Sequence, residues 1–275
     1  MTPHRRRSRV TGLLPALILA LVTTPLLAPT TTAASASATK AGGADVIGHR
    51  GHPVGVTENT LASFRKALRA GADGVELDVR VTADGKLVVM HDDSLARTTT
   101  CSGTAVSDAS LAWIQRSCRG RVGGERIPSL AAVAGWLRRA PGAVAVVEIK
   151  GGPWTAPRIR GLQRVLQQRR VLGRVTVLSG DAWLLRQVER AAPRLHTHAL
   201  ADSWAEVQGW RRDFPQLDGV NLHAADATRA RVAALHRAGL TVLGRTTSSR
   251  ADFRRLRAAR VDGFVTDRIG LARRR

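Results

Sequence analysis

Residues 75–91 read VELDVRVTADGKLVVMH, and their pattern predicts a pair of adjacent strands. Two apolar, β-branched runs flank an Asp84-Gly85 pair, which is typical of a two-residue hairpin turn. Only a hairpin fits between Val79 and Leu87, because a helical crossover between parallel strands needs a dozen or more residues. A two-residue turn at Asp84-Gly85 sets His91 opposite Asp78 on the partner strand.

Outward from this hairpin, short β-branched runs alternate with longer amphipathic stretches. The predicted strands are residues 45–48, 75–79, 87–91, 143–150, 175–179, 195–200, 219–222, 240–244 and 263–266. The predicted helices are residues 60–69 (with Asn59 as N-cap), 129–139, 156–170, 182–191, 225–237 and 250–259. Repeated β-then-α units indicate the α/β class and a TIM (β/α)8 barrel. A small hairpin excursion after the second strand accounts for the ninth strand.

The N-terminal 38 residues are predicted to be a secretory signal peptide. Four arginines precede an apolar run of 17 residues at positions 12–28, and Ala36-Ser37-Ala38 matches an A-x-A cleavage pattern. The alternative, a transmembrane anchor, needs about 20 apolar residues. Cleavage after Ala38 would leave one TIM-barrel domain over residues 39–275. We therefore expect a secreted protein with no stable membrane insertion, and the export route stays open.

The chain is strongly basic. It has 43 Lys and Arg against 21 Asp and Glu, a formal charge of +22, and the part after Ala38 keeps 39 of the basic residues, a charge of +18. Such a charge attracts nucleic acid, anionic membrane or an anionic wall polymer. Arginines are spread along the whole sequence and no nucleic-acid module is recognisable, so we expect no nucleic-acid partner. An anionic wall polymer stays a candidate partner.

Cys101 and Cys118 are the two cysteines of the chain. An even count in an exported protein favours a disulfide. In the chain-entropy model such a bond contributes roughly 3 kcal/mol to stability. Two free buried cysteines are the alternative.

Charged residues interrupt two of the predicted buried strands. Glu76 and Asp78 share one face of a strand, and Glu148 and Lys150 share one face of another. A charge in a buried strand costs several kcal/mol unless it is paired or bound to a metal. Polar residues at the C-terminal ends of barrel strands usually belong to the active site. The alternative is a buried ion-pair network, for example Glu148 with Lys150.

The residue types in this region suit metal-assisted phosphoester chemistry. Carboxylates without thiolates favour Ca²⁺ or Mg²⁺, Arg and Lys beside a cation suit a phosphate, and two histidines offer an acid and a base near neutral pH. We expect seven side chains to lie together at the end of the barrel where its parallel strands finish. They are His49, Arg50, Glu76, Asp78, His91, Glu148 and Lys150. His196, His198 and His223 have no nearby carboxylate motif, and we expect structural or surface roles for them.

Several motifs together resemble the glycerophosphodiester phosphodiesterase family. They are His49-Arg50-Gly51, Glu58-Asn59-Thr60, residues 71–79 (GADGVELDV), Thr82, Asp84-Gly85, Val88-Val89, His91-Asp92, Leu95, Arg97-Thr98-Thr99, residues 127–130 (IPSL), Glu148-Ile149-Lys150 and residues 261–267 (VDGFVTD). Their order, spacing and extent cover essentially all of the sequence after the predicted signal peptide.

The resemblance implies a TIM barrel that hydrolyses glycerophosphodiesters to glycerol 3-phosphate and an alcohol. It implies one divalent cation, Ca²⁺ or Mg²⁺, on Glu76, Asp78 and Glu148. It also implies that His49 and His91 are the catalytic acid–base pair and that Arg50 and Lys150 bind the phosphate. Glu58 either orients Arg50 or only precedes the helix, and Arg97 is expected to fix a loop.

One departure concerns the penultimate strand, where the family commonly has a Trp-Thr pair on the glycerol side of the pocket. Here Gly244 and Arg245 stand at these positions. The change predicts a wider pocket that accepts bulkier or more anionic diesters. The head group, the choice of cation, and attack by water or through a cyclic phosphate stay open, as does the oligomeric state.

Two other functions compete with this reading. The first is a phospholipase D- or sphingomyelinase D-like lipase of the same superfamily, and the second is a non-catalytic barrel that binds wall polymer. The first needs an apolar membrane-facing loop, and the second should have lost a metal carboxylate or a histidine. The sequence retains all five of these residues.

Overall fold

The structure is a computed structural model that describes residues 43–274. Strands and helices alternate along this part of the chain. The strands are β1 (Asp45–Gly48), β2 (Gly74–Val81), β3 (Leu87–Val89), β4 (Val144–Ile149), β5 (Val175–Ser179), β6 (His196–Ala201), β7 (Gly219–His223), β8 (Thr241–Arg245) and β9 (Gly263–Thr266). The helices are α1 (Leu61–Arg69), α2 (Leu111–Ser117), α3 (Leu130–Arg138), α4 (Ala156–Gln168), α5 (Ala182–Ala191), α6 (Trp204–Asp213), α7 (Arg229–Arg237), α8 (Arg250–Ala259) and α9 (Ile269–Arg273).

Eight of the strands in this part of the chain form a closed parallel barrel. Their order is β1-β9-β8-β7-β6-β5-β4-β2, and the pairing of β1 with β2 closes the ring. β3 pairs antiparallel with β2 outside the ring. The predicted TIM barrel with a hairpin after its second strand is therefore confirmed. The sequence did not indicate three of the helices, α2, α6 and α9.

The strand pleat sorts side chains into two layers. Ile47, Val146, Leu178, Leu243 and Val265 fill the barrel interior. The alternate residues of the strands, such as Val147 and Val242, pack outward against the helices in a larger apolar cluster. Because successive residues point to opposite faces, these two clusters fix which polar side chains reach the mouth, the end of the barrel where the parallel strands finish.

The hairpin register differs from the prediction by one residue. Val81 pairs with Leu87, and the Met90 amide donates to the Asp78 carbonyl at 3.0 Å, so Met90 rather than His91 stands opposite Asp78. The turn has three residues instead of two. Thr82 holds it because its hydroxyl binds the Asp84 carboxylate (2.6 Å) and accepts the Lys86 amide (3.0 Å), while Gly85 adopts a left-handed φ of 71°.

The first helix also begins differently. Thr60 rather than Asn59 is the N-cap of α1, and it forms a reciprocal capping box with Ser63. Asn59 precedes the cap with φ 58°, and its side chain forms a hydrogen bond with Asp78 instead. Gly71, with φ 94°, follows the end of the helix.

The segment between β3 and α3 packs as a small apolar cluster of its own, which contains Leu95, Ile114 and Ile127. Cys101 and Cys118 form a disulfide within it, with the two Cα atoms 5.4 Å apart, so the pairing is confirmed.

Among the described residues, no helix is both long and apolar enough to cross a membrane. The predicted signal peptide (residues 1–38) and its boundary with the barrel domain lie outside these residues. Both therefore stay predictions.

Candidate active site

Three carboxylates converge at the mouth. The flanking Val75, Leu77 and Val79 belong to the outer apolar cluster, so Glu76 and Asp78 on β2 face the interior. Asp78 is in register with Glu148 on β4. Each of the three residues offers an oxygen atom within 4.8 Å of those of the others. An oxygen-only donor set of this size suits a hard divalent cation.

The electrostatics of this cluster show concentrated negative charge. Burial, reinforced by the neighbouring Asp78 and Glu148 carboxylates, raises the pKa of Glu76 well above its usual value. The Arg50 amide donates a hydrogen bond to Glu76 Oε2 at 2.9 Å. A divalent cation would favour the charged form of all three carboxylates, so the residues present fit such an ion.

Lys150 lies against the same cluster. Its ammonium contacts Asp78 Oδ1 at 3.1 Å and Glu148 Oε1 at 2.6 Å. Burial opposes the charge of Lys150, but the two carboxylates outweigh burial and raise the pKa of the amine. The ion pair considered from the sequence is thus present, but Lys150 makes no ion pair with Glu76 among the described residues.

Arg50 is positioned by the turn that ends β1. Its φ of 50° and that of Gly51 (86°) are both left-handed, and a Cβ atom on Gly48 would lie 2.5 Å from the Gly51 carbonyl. The Arg50 guanidinium donates to Glu58 Oε1 at 3.0 Å and lies 3.5 Å from Asp78 Oδ2. Glu58 is therefore in direct contact with Arg50, the contact that an orienting role requires.

Asn59 holds the buried Asp78 from both sides. Its side-chain amide donates to Asp78 Oδ2 at 2.8 Å, and its side-chain oxygen accepts the Asp78 backbone amide at 3.2 Å. Sequence reasoning assigned Asn59 to a helix cap and missed this role. The Asx-type residue next to Glu58 gave no local signal of its distant partner.

Each of the two predicted catalytic histidines has a carboxylate at Nδ1. His49 Nδ1 lies 2.8 Å from Asp267 Oδ1, and His91 Nδ1 lies 2.6 Å from Asp92 Oδ1. The hydrogen bond from His49 lowers the pKa of Asp267. A carboxylate at Nδ1 favours the tautomer with the proton on that atom, which leaves Nε2 for a substrate. Asp92 and Asp267 belong to quoted motifs, but the sequence gave them no role.

Arg97 connects the loop that contains Asp92 to the loop that contains Glu58. It donates to Asp92 Oδ2 at 2.6 Å and to Glu58 Oε1 at 2.7 Å. Its hydrogen bond, helped by His91, lowers the pKa of Asp92 to about 2. Burial favours protonation of Glu58, but hydrogen bonds and charge from Arg97 and Arg50 lower its pKa. This chain of contacts connects the loop after His91 to Arg50, which agrees with the loop-fixing role expected for Arg97.

The expectation for Gly244 was wrong. A Cβ atom on Gly244 would lie 2.5 Å from Leu256 Cδ2 of α8, so this position faces the helices and not the pocket. Leu243 lies in the barrel interior, and by strand alternation Arg245 points to the mouth. The removal of a bulky side chain at position 244 therefore cannot widen the pocket.

The remaining histidines fall at two ends of the barrel. His196 and His198 line a cavity at the end where the strands begin, and His198 is buried with its Nδ1 atom 2.9 Å from Asn221 Oδ1. This agrees with structural roles for both. His223 ends β7, beside Arg245 on β8, at the mouth.

Comparisons with known proteins agree with this geometry. Residues 49–271 match the glycerophosphoryl diester phosphodiesterase family. A glycerophosphodiester phosphodiesterase from Caldanaerobacter subterraneus subsp. tengcongensis is 34% identical over 230 residues, which cover 81% of this chain and 93% of that protein.

Solved structures give the same result. The crystal structure of a glycerophosphodiester phosphodiesterase from Agrobacterium tumefaciens is 25% identical, with a TM-score of 0.72 and coverage of 83% of this chain and 98% of that one. A phosphodiesterase from Oleispira antarctica, solved with the product sn-glycerol-3-phosphate, shares the fold at 23% identity, with a TM-score of 0.72 and coverage of 83% and 94%. The chain belongs to the glycerophosphoryl diester phosphodiesterase family and is an enzyme of that class.

Proposed function

We propose that this enzyme is an exported, metal-dependent phosphodiesterase that hydrolyses glycerophosphodiesters to glycerol 3-phosphate and the head-group alcohol. The observation that carries the proposal is the convergence at one barrel end of three carboxylates and two carboxylate-oriented histidines. The sn-glycerol-3-phosphate bound to the Oleispira antarctica relative supports the assignment of the product.

Glu76, Asp78 and Glu148 would hold the cation. When bound there, Ca²⁺ or Mg²⁺ supplies positive charge that stabilises the additional negative charge of a phosphate under attack. Arg50 and Lys150 provide fixed positive charge at the same place, and they already contact Asp78. Asn59 keeps the Asp78 carboxylate in one orientation through its paired hydrogen bonds.

The histidines would divide the proton transfers between them. The Nε2 atom of one accepts the proton of the attacking hydroxyl, which belongs either to water or to the glycerol of the substrate. The other donates a proton to the departing alkoxide as its P–O bond breaks. Asp267 and Asp92 would hold the two rings in position and stabilise the protonated ring that each transfer requires.

Turnover of glycerophosphocholine with and without chelator tests this proposal. We expect chelation to abolish hydrolysis, and added Ca²⁺ or Mg²⁺ to restore it. Asp78→Asn should lose activity while its circular dichroism spectrum stays that of the wild type. Asp213→Asn is a matched control, because Asp213 is an exposed carboxylate that pairs with Arg212 at the end of α6. Full activity in excess chelator would show that the proposal is wrong.

Export is the second part of the proposal. It is supported by the basic and apolar N-terminal sequence and by the Cys101–Cys118 disulfide, since disulfides persist mainly in oxidising compartments. Expression in a secreting bacterial host should give a protein in the medium whose N-terminal residue is Thr39. Retention in the cells with residues 1–38 still attached would contradict export.

A further inference from the structure

The side of the mouth formed by β6, β7 and β8 carries polar side chains that the proposed reaction does not use. Asp202 follows β6, His223 ends β7 and Arg245 ends β8. His223 and Arg245 are direct neighbours in the strand register. Arg245 is also two residues beyond Leu243, which lies in the barrel interior. The side chain of Arg245 therefore points into the mouth, across from the carboxylates on β2 and β4.

Arg245 is only partly satisfied there. Its guanidinium forms an ion pair with Asp202, and its side chain is 21% exposed whereas that of Asp202 is 78% exposed. The Nε atom of Arg245 is buried and has no hydrogen-bond partner among the described residues. Burial lowers the pKa of Arg245, and the charge of Glu148 opposes this effect.

A buried guanidinium donor without an acceptor costs free energy that a ligand oxygen would recover. A guanidinium presents several N–H donors in a fork that matches carboxylate and phosphate oxygens. The exposed Asp202 occupies only part of this fork, and water competes for its carboxylate. An anionic ligand group that enters the mouth would therefore find an available partner in Arg245.

We propose that Arg245 is a specificity-determining residue that binds a second anionic group on the substrate, so the enzyme favours glycerophosphodiesters whose head group carries a carboxylate or a phosphate. This inference rests on the proposed function, in which the scissile phosphate lies at the carboxylate cluster. Gly244 faces α8, so the glycerol-side placement of the family's Trp-Thr pair does not carry over to positions 244 and 245, and the head-group arm of the diester would extend toward β6–β8 and meet Arg245. Asp202 acts as an internal competitor that the anionic head group displaces.

The test uses two substrates that differ by a single carboxylate, glycerophosphoserine and glycerophosphoethanolamine. The readout is the ratio of their kcat/KM values, which a purely structural role for Arg245 would leave unchanged. Arg245→Gln should lower the ratio of the serine to the ethanolamine substrate about tenfold, the size expected for loss of one charge-assisted hydrogen bond. Arg245→Lys should retain part of the preference. Asp202→Asn should raise the ratio, because it removes the competing carboxylate.

Arg250→Gln is the matched control. Arg250 is the first residue of α8, the helix that follows β8, and its side chain is exposed. Its substitution therefore removes the same charge without changing the interior of the mouth. We expect this variant to keep the wild-type ratio.

Calorimetric titration of the same proteins with both diesters in chelator measures recognition separately from hydrolysis. There too, Arg245→Gln should reduce the affinity for glycerophosphoserine more than that for glycerophosphoethanolamine. An unchanged preference in both kinetics and binding would overturn the inference. Failure of the wild type to hydrolyse either diester with any divalent cation would instead overturn the proposed function, and the binding titration would still decide the role of Arg245.

Discussion

At the scale of single residues, both candidate catalytic histidines share one arrangement, an Asp carboxylate at Nδ1. The two pairs reach it differently. His49 contacts Asp267, which directly follows the last barrel strand, β9. His91 contacts Asp92, its neighbour in the sequence. Asp92 is itself held by Arg97, which also binds Glu58. One imidazole is thus oriented by barrel closure and the other by a network of loop contacts.

Substitution of either histidine should abolish most of the activity. We expect His49→Gln and His91→Gln each to reduce kcat by about 10²–10⁴, the usual contribution of general acid–base catalysis. The measurement is steady-state hydrolysis of glycerophosphocholine. His236→Gln is a matched control, because His236 forms a similar pair with Asp262 (2.9 Å) near the end where β9 begins. A His91→Gln enzyme within tenfold of the wild type would exclude a catalytic role for His91.

At the scale of elements, β8 shows how alternation decides what a substitution does. Gly244→Trp would place a large side chain against Leu256 of α8. An added Cβ atom alone would lie 2.5 Å from Leu256 Cδ2. We expect Gly244→Ala to lower the melting temperature, with a cost of about 1–3 kcal/mol typical of overpacking. Gly244→Trp should cost more. Thermal unfolding measures both.

Gly161→Ala is the control for this comparison. Gly161 lies within α4 with no atom within 4 Å of an added Cβ, so alanine should stabilise the protein by about 0.5–1 kcal/mol. Where Gly244→Ala remains folded, its ranking of head groups should match that of the wild type. A changed ranking would mean that position 244 does reach the pocket.

The segment between β3 and α3 is the second element with a testable property. Its disulfide closes a loop with a sequence separation of 17 residues, and Arg97 lies just before that loop. We expect the double variant Cys101→Ser/Cys118→Ser to lose about 3 kcal/mol of stability by the chain-entropy estimate. Denaturant unfolding measures this loss.

We expect the double variant also to lose part of its activity, because Arg97, which contacts Asp92 and Glu58, belongs to the segment that the disulfide cross-links. Addition of a reductant to the wild type should reproduce the loss of stability but leave the double variant unchanged. Equal stability of the wild type and the double variant in the absence of reductant would contradict the prediction.

At the scale of the whole molecule, the chain carries a formal charge of +22. Such a field increases the rate at which anionic ligands arrive, and salt screens it, since the Debye length falls from about 30 Å at 0.01 M to about 3 Å at 1 M. We expect kcat/KM for the anionic glycerophosphoglycerol to fall several-fold over this range. The value for the zwitterionic glycerophosphocholine should change less, and equal salt dependence of the two substrates would contradict steering by net charge.

The barrel, its extra hairpin and the residue types at the mouth could be predicted from the sequence, and the cysteine count favoured the disulfide. These properties follow from short-range patterns: β-branched runs that alternate with amphipathic stretches, a turn signal at Asp84-Gly85, and charged residues within otherwise apolar strands. The acidic strand around Glu76 and Asp78 could be placed at the mouth because parallel strands of a barrel end on one side.

Which residues contact each other could be seen only in the folded protein. The contacts of Thr82 set the hairpin register, and the Asn59 side chain binds Asp78 instead of capping a helix. His49 contacts Asp267, which lies 218 residues away in the sequence. On β8, Arg245 rather than Gly244 faces the mouth. The physical reason is that a side chain's face and its partners depend on pairing between distant segments. A shift of one residue in a strand reverses every side chain on it, and no local pattern fixes that shift.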